Sequence, residues 1–128
     1  MIGYHGSETE IATIHGSTGG GIYLATEYAD AVTYAPIVHT IVISDDATIA
    51  DWRDIDEAVE AVHEAANFTP ADYNSWELME ITEVRDWLDA NGFDGARLDD
   101  TTPNGDPHEA VLVWNVNLLT ITDITKES

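Results

Sequence analysis

The chain has 128 residues, 44% of them hydrophobic, which is enough apolar surface for one buried core and predicts a single domain over 1–128 with no linker. It contains no cysteine, which excludes disulfides, thiolate metal sites and a cysteine nucleophile. Twenty-five acidic residues stand against four basic ones, a formal charge of −21, which excludes a basic nucleic-acid groove.

Residues 2–6 are short, apolar and aromatic, and predict a first strand ending at His5-Gly6-Ser7. Gly19-Gly20-Gly21 breaks the chain before a second short strand, Ile22 to Ala25. Thr26 is placed to cap a helix, and the spacing of Ala31, Val32, Tyr34 and Ala35 predicts one of about two turns from Glu27, stopped by Pro36. The β-branched run Val38 to Ile43 predicts a buried third strand. From Asp51 to Ala66, Ile55, Ala58, Val59 and Val62 recur at helical intervals with acids on the other side. Ser75 to Ala90 repeats that pattern through Leu78, Ile81, Val84, Trp87 and Leu88, which predicts the longest helix, ended by Asn91-Gly92. Three further strands are expected at Gly95 to Leu98, Glu109 to Trp114 and Leu118 to Ile124. Strands early and late with helices between them lack the strict alternation of a doubly wound sheet, so the expected class is α+β.

The acids are scattered among Thr and Ala, and Lys126 is the lone lysine. This pattern reads as adaptation to molar salt, where the screening length falls to about 3 Å; the alternative is an acidic surface that imitates nucleic acid. No apolar run approaches the roughly 20 residues that cross a bilayer, and Met1 to His5 lacks the basic and greasy regions of a secretory signal. The expectation is a protein of a high-salt cytoplasm with no membrane partner.

Gly19-Gly20-Gly21 lacks the lysine of a P-loop and the helix spacing of a dinucleotide fingerprint, so it reads as a flexible turn. His39, His63 and His108 show no metal-ligand spacing and read as surface or packing residues. Asp99-Asp100 lacks the periodic ligands of a calcium loop. The sharper signal is an ordered set: His5-Gly6-Ser7, then Gly21-Ile22-Tyr23-Leu24-Ala25, then Tyr34 eleven residues after Tyr23, then Glu109 opening Glu-Ala-Val-Leu-Val-Trp.

This ordered set resembles the His-Tyr-Glu class of ADP-ribosyltransferases, the group that includes diphtheria toxin and the poly(ADP-ribose) polymerases. Asn91-Gly92-Phe93-Asp94-Gly95-Ala96 resembles the Gly-Tyr-Asp-Gly box of small phage and polyvalent-protein members. The resemblance implies the ADP-ribosyltransferase fold, split β-sheets with flanking helices, and NAD as the substrate. It implies that His5 bonds a ribose hydroxyl, that the Gly6 backbone holds the nicotinamide carboxamide, and that Ser7 is the small hydroxyl residue after them. Tyr23 and Tyr34 would sandwich the nicotinamide ring, and Glu109 would accept a hydrogen bond from the ribose 2′-hydroxyl. The catalytic set is then Glu109, His5 and Tyr23, with no metal.

Those residue types suit the chemistry. Breaking the nicotinamide–ribose bond passes through an oxocarbenium-like state that a nearby carboxylate stabilises, and nicotinamide leaves as a neutral base that needs no acid. His15 also precedes Gly-Ser, but only eight residues separate it from Tyr23, so His5 is preferred. Pro107 stands where Arg-Ser-Glu toxins carry Gln or Glu, which argues against arginine modification. The expected function is mono-ADP-ribosylation of an unknown macromolecular acceptor, protein or nucleic acid, by a toxin-like effector of a virus or mobile element in a halophilic host. The alternatives are an NAD glycohydrolase, an inactive binding module, and an acidic nucleic-acid mimic.

Overall fold

The computed structural model describes residues 1–11 and 21–126; Gly19, Gly20 and the rival His15 lie outside the described residues. The chain order is β1 (Ile2–Ser7), β2 (Ile22–Ala25), α1 (Tyr28–Tyr34), β3 (Ile37–Ile43), β4 (Ile49–Ala50), α2 (Trp52–Ala66), α3 (Ser75–Leu78), α4 (Thr82–Ala90), β5 (Gly95–Thr101), β6 (Pro107–Val113) and β7 (Leu119–Lys126). The strands form one seven-stranded sheet in the order β4-β5-β6-β2-β1-β3-β7, and the domain is mixed α+β. Among the described residues only β4 and β5 pair in parallel. Among the described residues no helix is long and apolar enough to cross a membrane.

The sheet has a seam between β1 and β2. These strands share one register pair, Tyr4 with Ala25, whereas β1 pairs with β3 along its whole length from Ile2–Val42 to Ser7–Ile37. Beyond Tyr4, β1 therefore stays with β3 while β2 stays with β6, and the two halves of the sheet part. Helix α1 lies across this opening. Its approach depends on Gly6, where a Cβ would sit 2.4 Å from the Ala31 carbonyl oxygen.

The apolar run Ala110 to Val113 is buried on both faces of β6, as a central strand requires. Ala110 and Leu112 pack with Ala58 and Val59 of α2 and with Val84 and Leu88 of α4. Val111 and Val113 pack instead with Leu24, Ile41 and Ile43. Helix α2 forms where its pattern predicts it, because Asp51 and Asp54 cap it reciprocally and Asn67 ends it in the left-handed region at φ 60°.

The expected helix Ser75 to Ala90 is two helices, so α2 is the longest. The amides of Glu80 and Ile81 bond back only three residues, to the carbonyls of Glu77 and Leu78 at 3.0 and 3.2 Å, and Ile81 is extended. Neither Pro nor Gly marks this break. It lets Met79 enter the core, where it is fully buried, and it turns Glu80 outward.

The short strand β4 was not expected, and the Asn91–Ala96 box explains it. The Asp94 carboxylate accepts from the Thr48 amide at 2.9 Å and from Asn115 Nδ2 at 3.0 Å, while the Asp94 amide donates to the Thr48 carbonyl at 2.8 Å. This aspartate pins the chain before β4 to the start of β5. A Cβ at Gly95 would lie 2.5 Å from the Leu112 carbonyl, so only glycine lets β5 enter beside β6 there.

Candidate functional site

The parted strands open a cavity of about 620 Å³, within the usual range of small-molecule sites. His5 and Gly6 come to it from β1, Tyr23 from β2, Tyr34 from the end of α1, His108 from β6 and Glu80 from the turn between α3 and α4. Four sequence-predicted residues, His5, Gly6, Tyr23 and Tyr34, are thus gathered at one site.

His5 Nδ1 is 3.0 Å from the Tyr23 carbonyl, which can only accept, so Nδ1 carries the proton and Nε2 is the acceptor in the neutral ring. Burial is the main cause holding the His5 pKa below its ordinary value; the Tyr23 carbonyl opposes this, and the neighbouring His39 adds to it. A neutral imidazole that accepts through Nε2 is the form that can bond a sugar hydroxyl. His39 itself is fully buried: its Nε2 accepts the Ile11 amide at 2.8 Å and its Nδ1 donates to the His5 carbonyl at 3.2 Å. It ties the chain beyond β1 to β3 and so fixes the strand that carries His5.

The two tyrosines have different anchors. Tyr23 donates its hydroxyl to Glu80 Oε1 at 2.7 Å. Tyr34 keeps 43% of its surface exposed, and its hydroxyl lies 2.8 Å from His108 Nε2, the rings meeting edge-on at 5.8 Å. His108 Nδ1 donates to the Glu109 carbonyl at 3.0 Å, so its Nε2 accepts and Tyr34 is the donor. Tyr34 stands outside the core, whereas Tyr23 is half-buried and packs against the edge of the main core cluster.

Ser7 and Glu109 are not among the residues lining the cavity. The Ser7 hydroxyl accepts the Thr9 amide at 3.2 Å and shapes the turn leaving β1. Period-two alternation explains Glu109: His108 and Ala110 share the cavity face of β6, so Glu109 shares the opposite face with Val111. There its carboxylate meets Arg97 Nε at 3.3 Å, both side chains being about half exposed. The expectation that His5 and Glu109 border one cleft therefore differs from the observed arrangement.

Sequence reasoning missed Glu80 and His108. His108 was readable in principle as the alternate neighbour of Ala110, but only the register of β6 against β2 says which face looks at Tyr23. Glu80 gave no signal, because nothing local marks the break that exposes it. Neither lysine nor arginine lines the cavity among the described residues. Arg97 is held by Glu109, Lys126 lies 2.9 Å from Glu10, and Arg53 stacks over Trp52. The lining is aromatic and apolar, with one carboxylate.

The chain matches no protein-family model and no curated protein. Among solved structures it is similar to the crystal structure of an anti-CRISPR protein, with a TM-score of 0.56 and 20% identity over 99% of this chain and 93% of that one. That likeness shows a shared fold.

Proposed function

We propose that the chain has the ADP-ribosyltransferase fold and is an NAD-dependent mono-ADP-ribosyltransferase, the cavity at the β1–β2 seam holding the nicotinamide-ribose end of NAD. The observation that carries this reading is the meeting of His5, Gly6, Tyr23 and Tyr34 around one cavity, although they come from three separate elements. The nicotinamide ring of NAD is a flat cation, and aromatic rings beside a carboxylate that no cation pairs with among the described residues suit a flat cation. His5 Nε2 accepts from a ribose hydroxyl, and the backbone at Gly6 takes the carboxamide. The ribose C1′–nitrogen bond then breaks with its electron pair going to the ring nitrogen, so nicotinamide leaves neutral. A lone pair of the acceptor forms the new bond at C1′, and the acceptor's proton passes to solvent. The role that the sequence resemblance gives Glu109 requires its carboxylate to leave Arg97 and turn toward the cavity.

Incubation with NAD at low and at molar salt tests the reading. Nicotinamide release is expected, and mass spectrometry of host extract separates transfer to a macromolecule from hydrolysis. A folded protein that neither binds NAD nor releases nicotinamide refutes it.

A second reading has its own support. The similar structure is that of an anti-CRISPR protein, and a charge of −21 suits a mimic of nucleic acid. In that case the chain acts against a CRISPR system by occupying a basic surface, and it would compete with DNA for a basic host protein with Tyr34 and His5 dispensable.

A further inference from the structure

Glu80 is the one carboxylate among the described residues that line the cavity. Its Oε1 accepts the Tyr23 hydroxyl at 2.7 Å, which fixes the carboxylate beside one of the rings expected to hold nicotinamide. A carboxylate offers about four lone-pair sites, so the Tyr23 bond leaves room to accept from a ribose. Glu109 differs on both counts: Arg97 compensates it at 3.3 Å, and its side chain lies on the other face of β6. A charge stabilises a developing cation best when it is uncompensated, close and held in place, and when the substrate displaces the water between them.

We propose that Glu80, rather than Glu109, is the catalytic carboxylate, stabilising the positive charge that develops on the ribose as the bond to nicotinamide breaks. The Tyr23 hydroxyl is its positioning partner, so one hydrogen bond sets both the ring wall and the charge. This inference rests on the NAD-cleaving reading of the cavity.

The test compares Glu80→Gln, Glu80→Asp and Glu109→Gln with the wild type in nicotinamide release, in calorimetric NAD binding and in thermal melts. Glu80→Gln is expected to lower kcat on the order of 10²–10³-fold while NAD binds within a few-fold of wild type, because the charge acts mainly in the transition state. Its melting temperature should hold, since Glu80 is exposed. Glu80→Asp keeps the charge but falls one methylene short of Tyr23, and an intermediate rate is expected. A wild-type rate in Glu80→Gln, from a wild type that does release nicotinamide, overturns the assignment and leaves the NAD-cleaving reading standing; loss of rate in Glu109→Gln alone moves the role to Glu109. A wild type that neither binds nor cleaves NAD overturns both.

Discussion

Replacing Gly6 by alanine sets a methyl carbon 2.4 Å from the Ala31 carbonyl oxygen, with the Ala35 amide nitrogen 3.2 Å away. Ordinary contact begins near 3.4 Å, so α1 must withdraw from β1 by about 1 Å. Neither obstacle is a flexible side-chain tip; both are backbone, one within α1 and one just past its end, and Ala31 is itself buried at 1% exposure. Because the obstacles are backbone, the cost falls in the upper part of the usual overpacking range, about 2–3 kcal/mol, and it is offset by a few tenths to 1 kcal/mol because alanine narrows the unfolded ensemble, a net of roughly 1–2.5 kcal/mol. For a chain of this size that is a fall in melting temperature of roughly 3–10 °C. Tyr34 rides on the same helix, so its ring is displaced by a similar ~1 Å, and nicotinamide release at subsaturating NAD is expected to fall by up to about tenfold, the loss expected for removing the stacking face. Thermal melts and nicotinamide release from NAD, both in molar potassium chloride, read the two effects. Gly6→Ala with wild-type stability would refute the packing argument. Lost stability with wild-type turnover would break the link between α1 and the site.

Tyr34→Ala is expected to weaken NAD binding by about 1 kcal/mol, roughly five- to tenfold, with little loss of stability because the ring is exposed, whereas Tyr34→Phe keeps the stacking face and should bind nearly as wild type; equal weakening by both variants would rule out stacking. The His5 pKa is lowered by folding, so as pH falls below the ordinary 6.5 the unfolded chain takes up a proton first. Stability should therefore be level above about pH 6.5 and fall from there toward the depressed folded value; His5→Gln should remove that part of the slope, and an unchanged slope in melts from pH 7.5 to 5.5 would count against it. With a charge of −21, the melting temperature should rise with potassium chloride as the screening length shortens from about 10 Å at 0.1 M to about 3 Å at 1 M, and indifference to salt would favour the nucleic-acid mimic.

Much of the fold was legible because local pattern and final burial agree. The β-branched run at β3, the capping residues of α2 and the Pro36 stop after α1 each act within a few residues of where they stand, so the sequence by itself determined those elements and the α+β class. The box at Asn91–Ala96 was visible as a pattern, but its work, Asp94 holding Thr48 and Asn115, joins residues more than twenty positions apart. The gathering of His5, Gly6, Tyr23 and Tyr34 was expected only through the family resemblance that their order along the chain carries. The cavity between them belongs to the tertiary structure, which leaves β1 and β2 a single shared pair. Which way a strand residue points is also a tertiary decision: His108 and Glu109 are adjacent and both polar, and only the pairing of β6 with β2 on one side and β5 on the other turns the first toward the cavity and the second toward Arg97. The break at Met79 to Ile81 is the clearest case. Its residues continue a helical pattern, and burial of Met79 in a core built from distant strands overrides that preference, because a fully buried side chain gains more than one lost turn of helix costs.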